Sequence, residues 1–298
     1  MDLEVYRKRL SGKMPPEEVL SHDLLEGAVL KACYVSDLSF SESQPDTVLS
    51  YLNREHRWIR GDWQLFRAAS LFPIAGIDRY KIADNLLRSL CPVVSFLMIL
   101  IGAFLPFPIF LAVVLAALLP EIASPYVRLI SQALTGSSLS HRVVYYSRVL
   151  PEFEAGILQS LYRIAALPVL AYRSADAIAR ALWRQLVSRK KLLEWTVFNP
   201  HAGKGEGMNY YREFWGPTLV TALVSVALAA AGKWTCLLFW FWCLTPVLFT
   251  VLSMPYRKKE ILQSVHFREK VLSWSERMWR YVDDHLTPED HFLLPDNE

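Results

Sequence analysis

The run Arg54-Glu55-His56-Arg57-Trp58-Ile59-Arg60-Gly61-Asp62-Trp63-Gln64 sets guanidinium and indole side chains beside one another. A guanidinium is a planar, permanently charged fork that matches phosphate oxygens bidentately, and an indole offers a flat apolar face to a sugar ring. Arg57 and Arg60 are therefore candidates for a diphosphate, and Trp58 and Trp63 for a stackable acceptor. Some thirty residues earlier, Ser21-His22-Asp23-Leu24-Leu25-Glu26-Gly27 supplies a carboxylate, Asp23, able to take a proton from an attacking hydroxyl. Each group also has a structural reading. Asp23 and Glu26 have the spacing of a helix-capping pair. Arg57 and Arg60 could pair with Glu55 or Asp62 on a helix surface, with Trp63 in a core. The chemistry predicted is a charged donor meeting an uncharged acceptor.

These residues need elements to hold them. The pattern predicts a helix from Leu24 to about Lys31, a short strand at Cys33–Leu38, a polar loop at Ser39–Asp46, and a helix from Thr47 through Trp63. That is a partial α/β segment, too small to bury a core by itself. It is expected to dock on the rest of the chain or on other polypeptide.

The remainder reads as a mainly α-helical polytopic membrane protein. Apolar residues make up 53% of the chain and aromatics 13%, and mean hydropathy is +0.21. A net charge of +3, clustered beside apolar runs, argues against a nucleic-acid partner and for a lipid bilayer. Leu86–Ile122 is too long for one span and is interrupted by Leu105-Pro106-Phe107-Pro108, which predicts a hairpin, with one kinked helix as the alternative. Phe214–Ala231 and Trp234–Leu252, separated by Gly232-Lys233, form a second pair. About four spans result. Basic residues lie outside the pairs, at Arg79, Lys81, Arg128, Arg142, Arg148, Lys204, Arg212 and Arg257-Lys258-Lys259, so both termini and the central segment are expected in the cytoplasm. Ser174–Trp195 is predicted to be a basic amphipathic helix in the headgroup plane, with packing against a soluble domain as the alternative, and Ile157–Tyr172 a second interfacial or partly inserted helix.

The resulting division is a soluble segment at 1–80, hairpins at 81–127 and 213–253, a cytoplasmic or interfacial segment at 128–212, and a tail at 254–298. The four cysteines suggest neither a disulfide framework nor a zinc site, and the N-terminus carries no cleavable signal.

In order, Leu20–Gly27, His56–Gln64 and Ser188-Arg189-Lys190-Lys191-Leu192-Leu193-Glu194-Trp195-Thr196 resemble the glycosyltransferase region of cyclic β-1,2-glucan synthases. The stretch Leu286–Asn297 is similar to the junction before that family's downstream carbohydrate-processing modules. The resemblance implies a processive inverting transferase of the inner membrane that uses UDP-glucose and Mg²⁺, with a GT-A-like character for the partial α/β segment. It makes Asp23 the general base, places Arg57 near the donor diphosphate and stacks Trp58 on the acceptor. Arg54–Trp58 would match a Gln-x-x-Arg-Trp signature with arginine in the glutamine position. No Asp-x-Asp metal motif occurs in the sequence. The chain is accordingly expected to be a fragment, the acceptor side and membrane part of such an enzyme, inactive until a separate chain supplies the donor half. The alternative is a non-catalytic anchor or assembly subunit of a polysaccharide synthase.

Overall fold

A computed structural model describes residues 3–10, 23–31, 44–69, 72, 74–135, 142–194, 210–254 and 265–286. It divides into two units, residues 1–254 and 255–298.

Among the described residues every regular element is a helix. The α/β character expected of the N-terminal segment is not found there, and the strand expected at Cys33–Leu38 lies outside the described residues. Two short helices, α1 (Leu3–Leu10) and α2 (Asp23–Leu30), precede the long α3 (Val48–Ala69). Thr47 begins α3 as a side-chain cap, its Oγ1 accepting from the Ser50 amide at 3.2 Å. The apolar residues of α1 and α2, Leu10 and Leu25, are buried with Leu65 at the end of α3, with Phe72 and Ile74, and with Ile82 on the next helix. The N-terminal segment thus stands on an elbow of the main bundle, which supplies the core it lacks.

That next helix, α4 (Gly76–Gly102), leads through a tight turn into α5 (Phe107–Thr135). The turn closes with the Leu105 amide donating to the Gly102 carbonyl at 2.9 Å. The chain reverses here as a hairpin instead of continuing as one kinked helix. Gly102 makes the return possible, since a Cβ at that position would fall 2.9 Å from Val113 Cγ1. Ser95 ties the two helices together by donating to the Ala117 carbonyl at 2.7 Å.

Helix α6 (Arg142–Trp183) continues as one wide π turn over Arg184–Ser188 and forms the spine of the first unit. It packs against α3, α4 and α5 and also meets α8, α9 and α10. Ala166, Ala171, Ala177 and Ala181 are all nearly inaccessible. Small side chains there let neighbouring helices approach closely. Residues 157–172 and the helical part of 174–195, expected as two separate helices, form one continuous helix. Of the basic residues in the second stretch, Arg180 pairs with Asp176 on the same helix, and Arg184 and Lys191 pair with Glu194 in the following loop.

The bundle is completed by α7 (Tyr210–Glu213), α8 (Trp215–Ala230), α9 (Cys236–Trp242) and α10 (Thr245–Leu252). Trp242 Nε1 donates to the Ile164 carbonyl at 2.9 Å and Thr245 Oγ1 to the Ala165 carbonyl at 2.8 Å, fastening this pair to α6. The break between α9 and α10 precedes Pro246, whose missing amide cannot continue the preceding helix. By length and composition, two helical stretches suffice to cross a membrane, Gly76–Gly102 and Pro151–Ser188. The expected count was about four. The apolar stretches Phe107–Pro120, Trp215–Ala230 and Cys236–Leu252 are shorter. Large apolar side chains nevertheless face outward in helical register, including Leu87, Val94, Leu97 and Ile101 on α4, Leu111, Leu115 and Leu119 on α5, and Leu219, Leu223 and Val226 on α8. So broad an apolar exterior suits lipid better than water.

The second unit contains α11 (Val265–His285).

Candidate anion site between two helices

Asn53, His56, Arg57 and Arg60 fall at i, i+3, i+4 and i+7 along α3, which places them on one stripe of the helix. Arg173, Asp176 and Arg180 repeat the pattern on α6. The two stripes face each other and line a cavity of about 160 Å³.

Asp176 organises this cavity. One carboxylate oxygen accepts from His56 Nε2 at 2.9 Å, and Arg180 Nε reaches the carboxylate at 2.7 to 2.8 Å. A carboxylate can only accept, so the His56 proton resides on Nε2 and Nδ1 is left as the acceptor. Burial pushes the His56 imidazole down to about 4, with the Arg173 charge adding to the effect and the Asp176 hydrogen bond opposing it. His56 is consequently neutral at pH 7. Opposite it, Arg173 Nη2 donates to Asn53 Oδ1 at 2.7 Å.

Arg60 is buried, and loss of solvent followed by the nearby Arg184 charge lowers the affinity of its guanidinium for its proton. It stays charged all the same. Its Nη2 donates to the Glu194 carbonyl, while Arg184 reaches the Lys191 carbonyl at 2.8 Å and the Glu194 carboxylate. Gln64 donates to the Leu192 carbonyl at 3.0 Å. The segment 189–194 is therefore strapped to α3 beside the cavity. The Nε donors of Arg60 and Arg173 are buried with no protein partner, and both residues line the cavity.

Four guanidinium groups face one carboxylate that is already engaged, and His56 is neutral. The arrangement attracts a compact multivalent anion such as a phosphate or diphosphate. It does not fit a divalent cation. Among the described residues no group of three or more His, Cys, Asp or Glu could hold a metal, and Mg²⁺ asks for oxygen ligands that four arginines cannot supply.

Of the residues expected from sequence to bind substrate, Arg57 and Arg60 line the cavity and Trp58 and Trp63 do not. Trp58 is half-exposed, with the Arg54 guanidinium 4.9 Å above its ring. Trp63 turns toward α4, where its Nε1 donates to Ser89 Oγ at 2.9 Å. Asp62 beside it is held by Asn85 of α4 at 3.2 Å. Asp23 is the exposed first residue of α2, in the segment that packs on the far end of α3, and is not among the residues lining the cavity. Sequence reasoning did not assign Asn53, His56, Arg173, Asp176 or Arg180 to the site. A signal existed for the last three, since an acid with basic partners at i−3 and i+4 on an apolar helix is a costly arrangement without a purpose.

Fold and cavity together define a helical bundle, two of whose helices are long and apolar enough to cross a membrane, with an anion-receptive pocket between a motif-bearing helix and its central helix. No family model matches the chain. Over 311 aligned residues it is 33% identical to cyclic β-(1,2)-glucan synthase NdvB of Rhizobium meliloti (strain 1021). The match takes in 99% of this chain and 11% of that protein, so the chain spans about a ninth of the length of the relative it resembles. The resemblance carried by the three motifs is thus present along nearly the whole sequence.

Proposed function

We propose that this chain is the acceptor-side and membrane part of a processive inverting glucosyltransferase that makes β-1,2-glucan from UDP-glucose. The observation that supports this reading most directly is the cavity. It joins two arginines of the motif helix, Arg57 and Arg60, to Arg173 and Arg180 of the central helix, on a chain related to a β-glucan synthase. In this reading the cavity receives the diphosphate of the donor, Trp58 stacks on the growing glucan, and Asp23 removes the acceptor proton once the acceptor bridges the two places. The bundle sits in the inner membrane with both termini cytoplasmic. Mg²⁺ and the uridine are held by carboxylates on other polypeptide, since this sequence has no Asp-x-Asp. The purified chain given UDP-glucose and Mg²⁺ is expected to transfer no glucose, whereas it should bind UDP measurably by calorimetry. Robust β-1,2-glucan formation by the chain alone, or no UDP affinity above that of an Arg57→Ala/Arg180→Ala variant, would sink the proposal.

A second reading, a non-catalytic anchor or assembly subunit, is favoured by the absence of Asp23 from the residues that line the cavity. Substituting Asp23 or Trp58 in a reconstituted complex separates the two. Lost turnover with intact assembly supports the catalytic role, and unchanged turnover supports the anchor.

A further inference from the structure

His56 holds a place in the cavity that the arginines do not. Its Nε2 proton is committed to the Asp176 carboxylate at 2.9 Å, and Nδ1 makes no hydrogen bond to the described residues. Nδ1 is also not one of the polar atoms sealed off inside the protein. The imidazole shares the cavity wall with Arg57 and Arg60 of its own helix and with Arg173, Asp176 and Arg180 of α6. Of these side chains it is the one whose ordinary protonation range lies near neutrality. Its charge can follow what enters the cavity, whereas the arginine charges are fixed.

Burial holds the imidazole neutral down to about 4, against the pull of Asp176 and with help from the Arg173 and Arg60 charges. Further out, Arg184 and Glu194 bear on Arg60, Glu213 of α7 bears on Arg173, and Arg88 of α4 bears on Asp62. A phosphate-type anion reverses this balance. Its ionised oxygens only accept hydrogen bonds, and so does Nδ1 of the neutral ring, so the two repel until the ring gains a second proton. The added charge favours the same change. At a separation of about 6 Å and an effective dielectric of about 20, one negative charge raises a neighbouring titration by about 2 pH units, and a second charge adds to it.

We propose that His56 is a conditional cation of the cavity, which takes up a proton from solvent on Nδ1 when a phosphate-type anion enters and so grips the more highly charged anion more tightly. Asp176 remains the partner of Nε2–H, and the anion becomes the partner of Nδ1–H. On the donor reading above, on which this further point rests, the cavity favours the released diphosphate over the sugar-linked one. Breaking the bond between glucose C1 and the β-phosphate oxygen leaves the electron pair, and one more negative charge, on that oxygen. The His56 proton answers that charge, while the acceptor hydroxyl forms the new bond to C1 and gives its own proton to the general base.

Purified full-length chain in detergent is prepared with isotope-labelled histidine, and His56→Gln, which keeps an N–H for Asp176, assigns the His56 signal by its loss. Imidazole titrations are followed by NMR without anion, with saturating sulfate, with UDP-glucose and with UDP. Sulfate stays doubly charged throughout and carries neither sugar nor nucleoside. The expected His56 midpoint is near pH 4 without anion. It should rise by about 2 pH units or more with sulfate, and further with UDP than with UDP-glucose. Sulfate affinity, measured by calorimetry, should climb toward about tenfold per pH unit on acidification between those midpoints and stay flat in His56→Gln. A midpoint unmoved by saturating sulfate, the same pH dependence of sulfate affinity in His56→Gln, or no sulfate binding overturns the proposal. Equal shifts with UDP and UDP-glucose overturn the discrimination between them. A sulfate shift without binding of UDP or UDP-glucose supports the proton coupling and overturns the donor reading. Binding of UDP with an unmoved midpoint keeps the donor reading and overturns the role of His56.

Discussion

Asp176 is the one acid among four arginines lining the cavity, and it serves His56 and Arg180 at once. Its removal as Asp176→Asn frees Arg180 and leaves His56 with a weaker acceptor, so UDP binding should weaken by about tenfold, the scale of one charge-assisted contact. Calorimetry on the purified chain tests this, and unchanged affinity would show that the acid has no organising role. His56 gives a separate, signed prediction. Its folded value near 4 lies below the ordinary unfolded value of 6.5, so between those pH values the unfolded chain holds a proton that the folded chain rejects. Stability therefore rises with pH across that window and is complete above it. The loss on acidification from pH 6.5 to 4 should be about 3 kcal/mol from this residue. Thermal unfolding of His56→Gln in the same detergent should show a correspondingly flatter pH profile over that window.

At the scale of elements, the α4–α5 hairpin depends on a single missing side chain. Gly102→Ala puts a methyl carbon 2.9 Å from Val113 Cγ1, and overpacking of this kind costs about 1–3 kcal/mol. The melting temperature of Gly102→Ala should fall, and Val113→Ala in the same chain should restore part of it. A Gly102→Ala variant as stable as the parent would mean that the hairpin yields easily. Ser95→Ala removes the bond to Ala117 and should cost less, roughly 0.5–1 kcal/mol, as interhelical hydrogen bonds in such bundles do. The hairpin turn was legible because prolines flank Phe107 and no charge intrudes. The nature of α6 was not. Its run from Ile157 to Tyr172 contains Arg163, which argues against a membrane span, and Pro168, which discourages a continuous helix when the sequence is read by itself. In the bundle, neighbouring helices surround the proline, and the helix continues through it.

For the whole molecule, the spine position of α6 makes a topological claim. A cysteine replacing Leu158, exposed on α6 in the apolar part of the helix, should resist a membrane-impermeant maleimide in intact vesicles, whereas one replacing Arg189, beyond the π turn, should react readily from one side. Equal reactivity at both positions would place residues 157–188 at the membrane surface, as expected for an interfacial helix. The count of spans follows the same logic. Apolar length by itself suggested two hairpins, but helix breaks at Gly102 and before Pro246 depend on how each segment meets its neighbour.

What the sequence by itself determined is the chemical vocabulary: helical apolar segments, a cationic and aromatic motif helix, and a resemblance to β-glucan synthases that reaches almost from end to end. These depend on residue type and short spacing, which survive without a fold. Tertiary structure alone decided which residues meet. Arg57 and Arg60 were separated from Trp58 and Trp63 because a helix turns about 100° per residue and presents each to a different neighbour. Arg173, Asp176 and Arg180 joined them from more than a hundred positions away, since only the packing of α6 on α3 can bring two such stripes face to face.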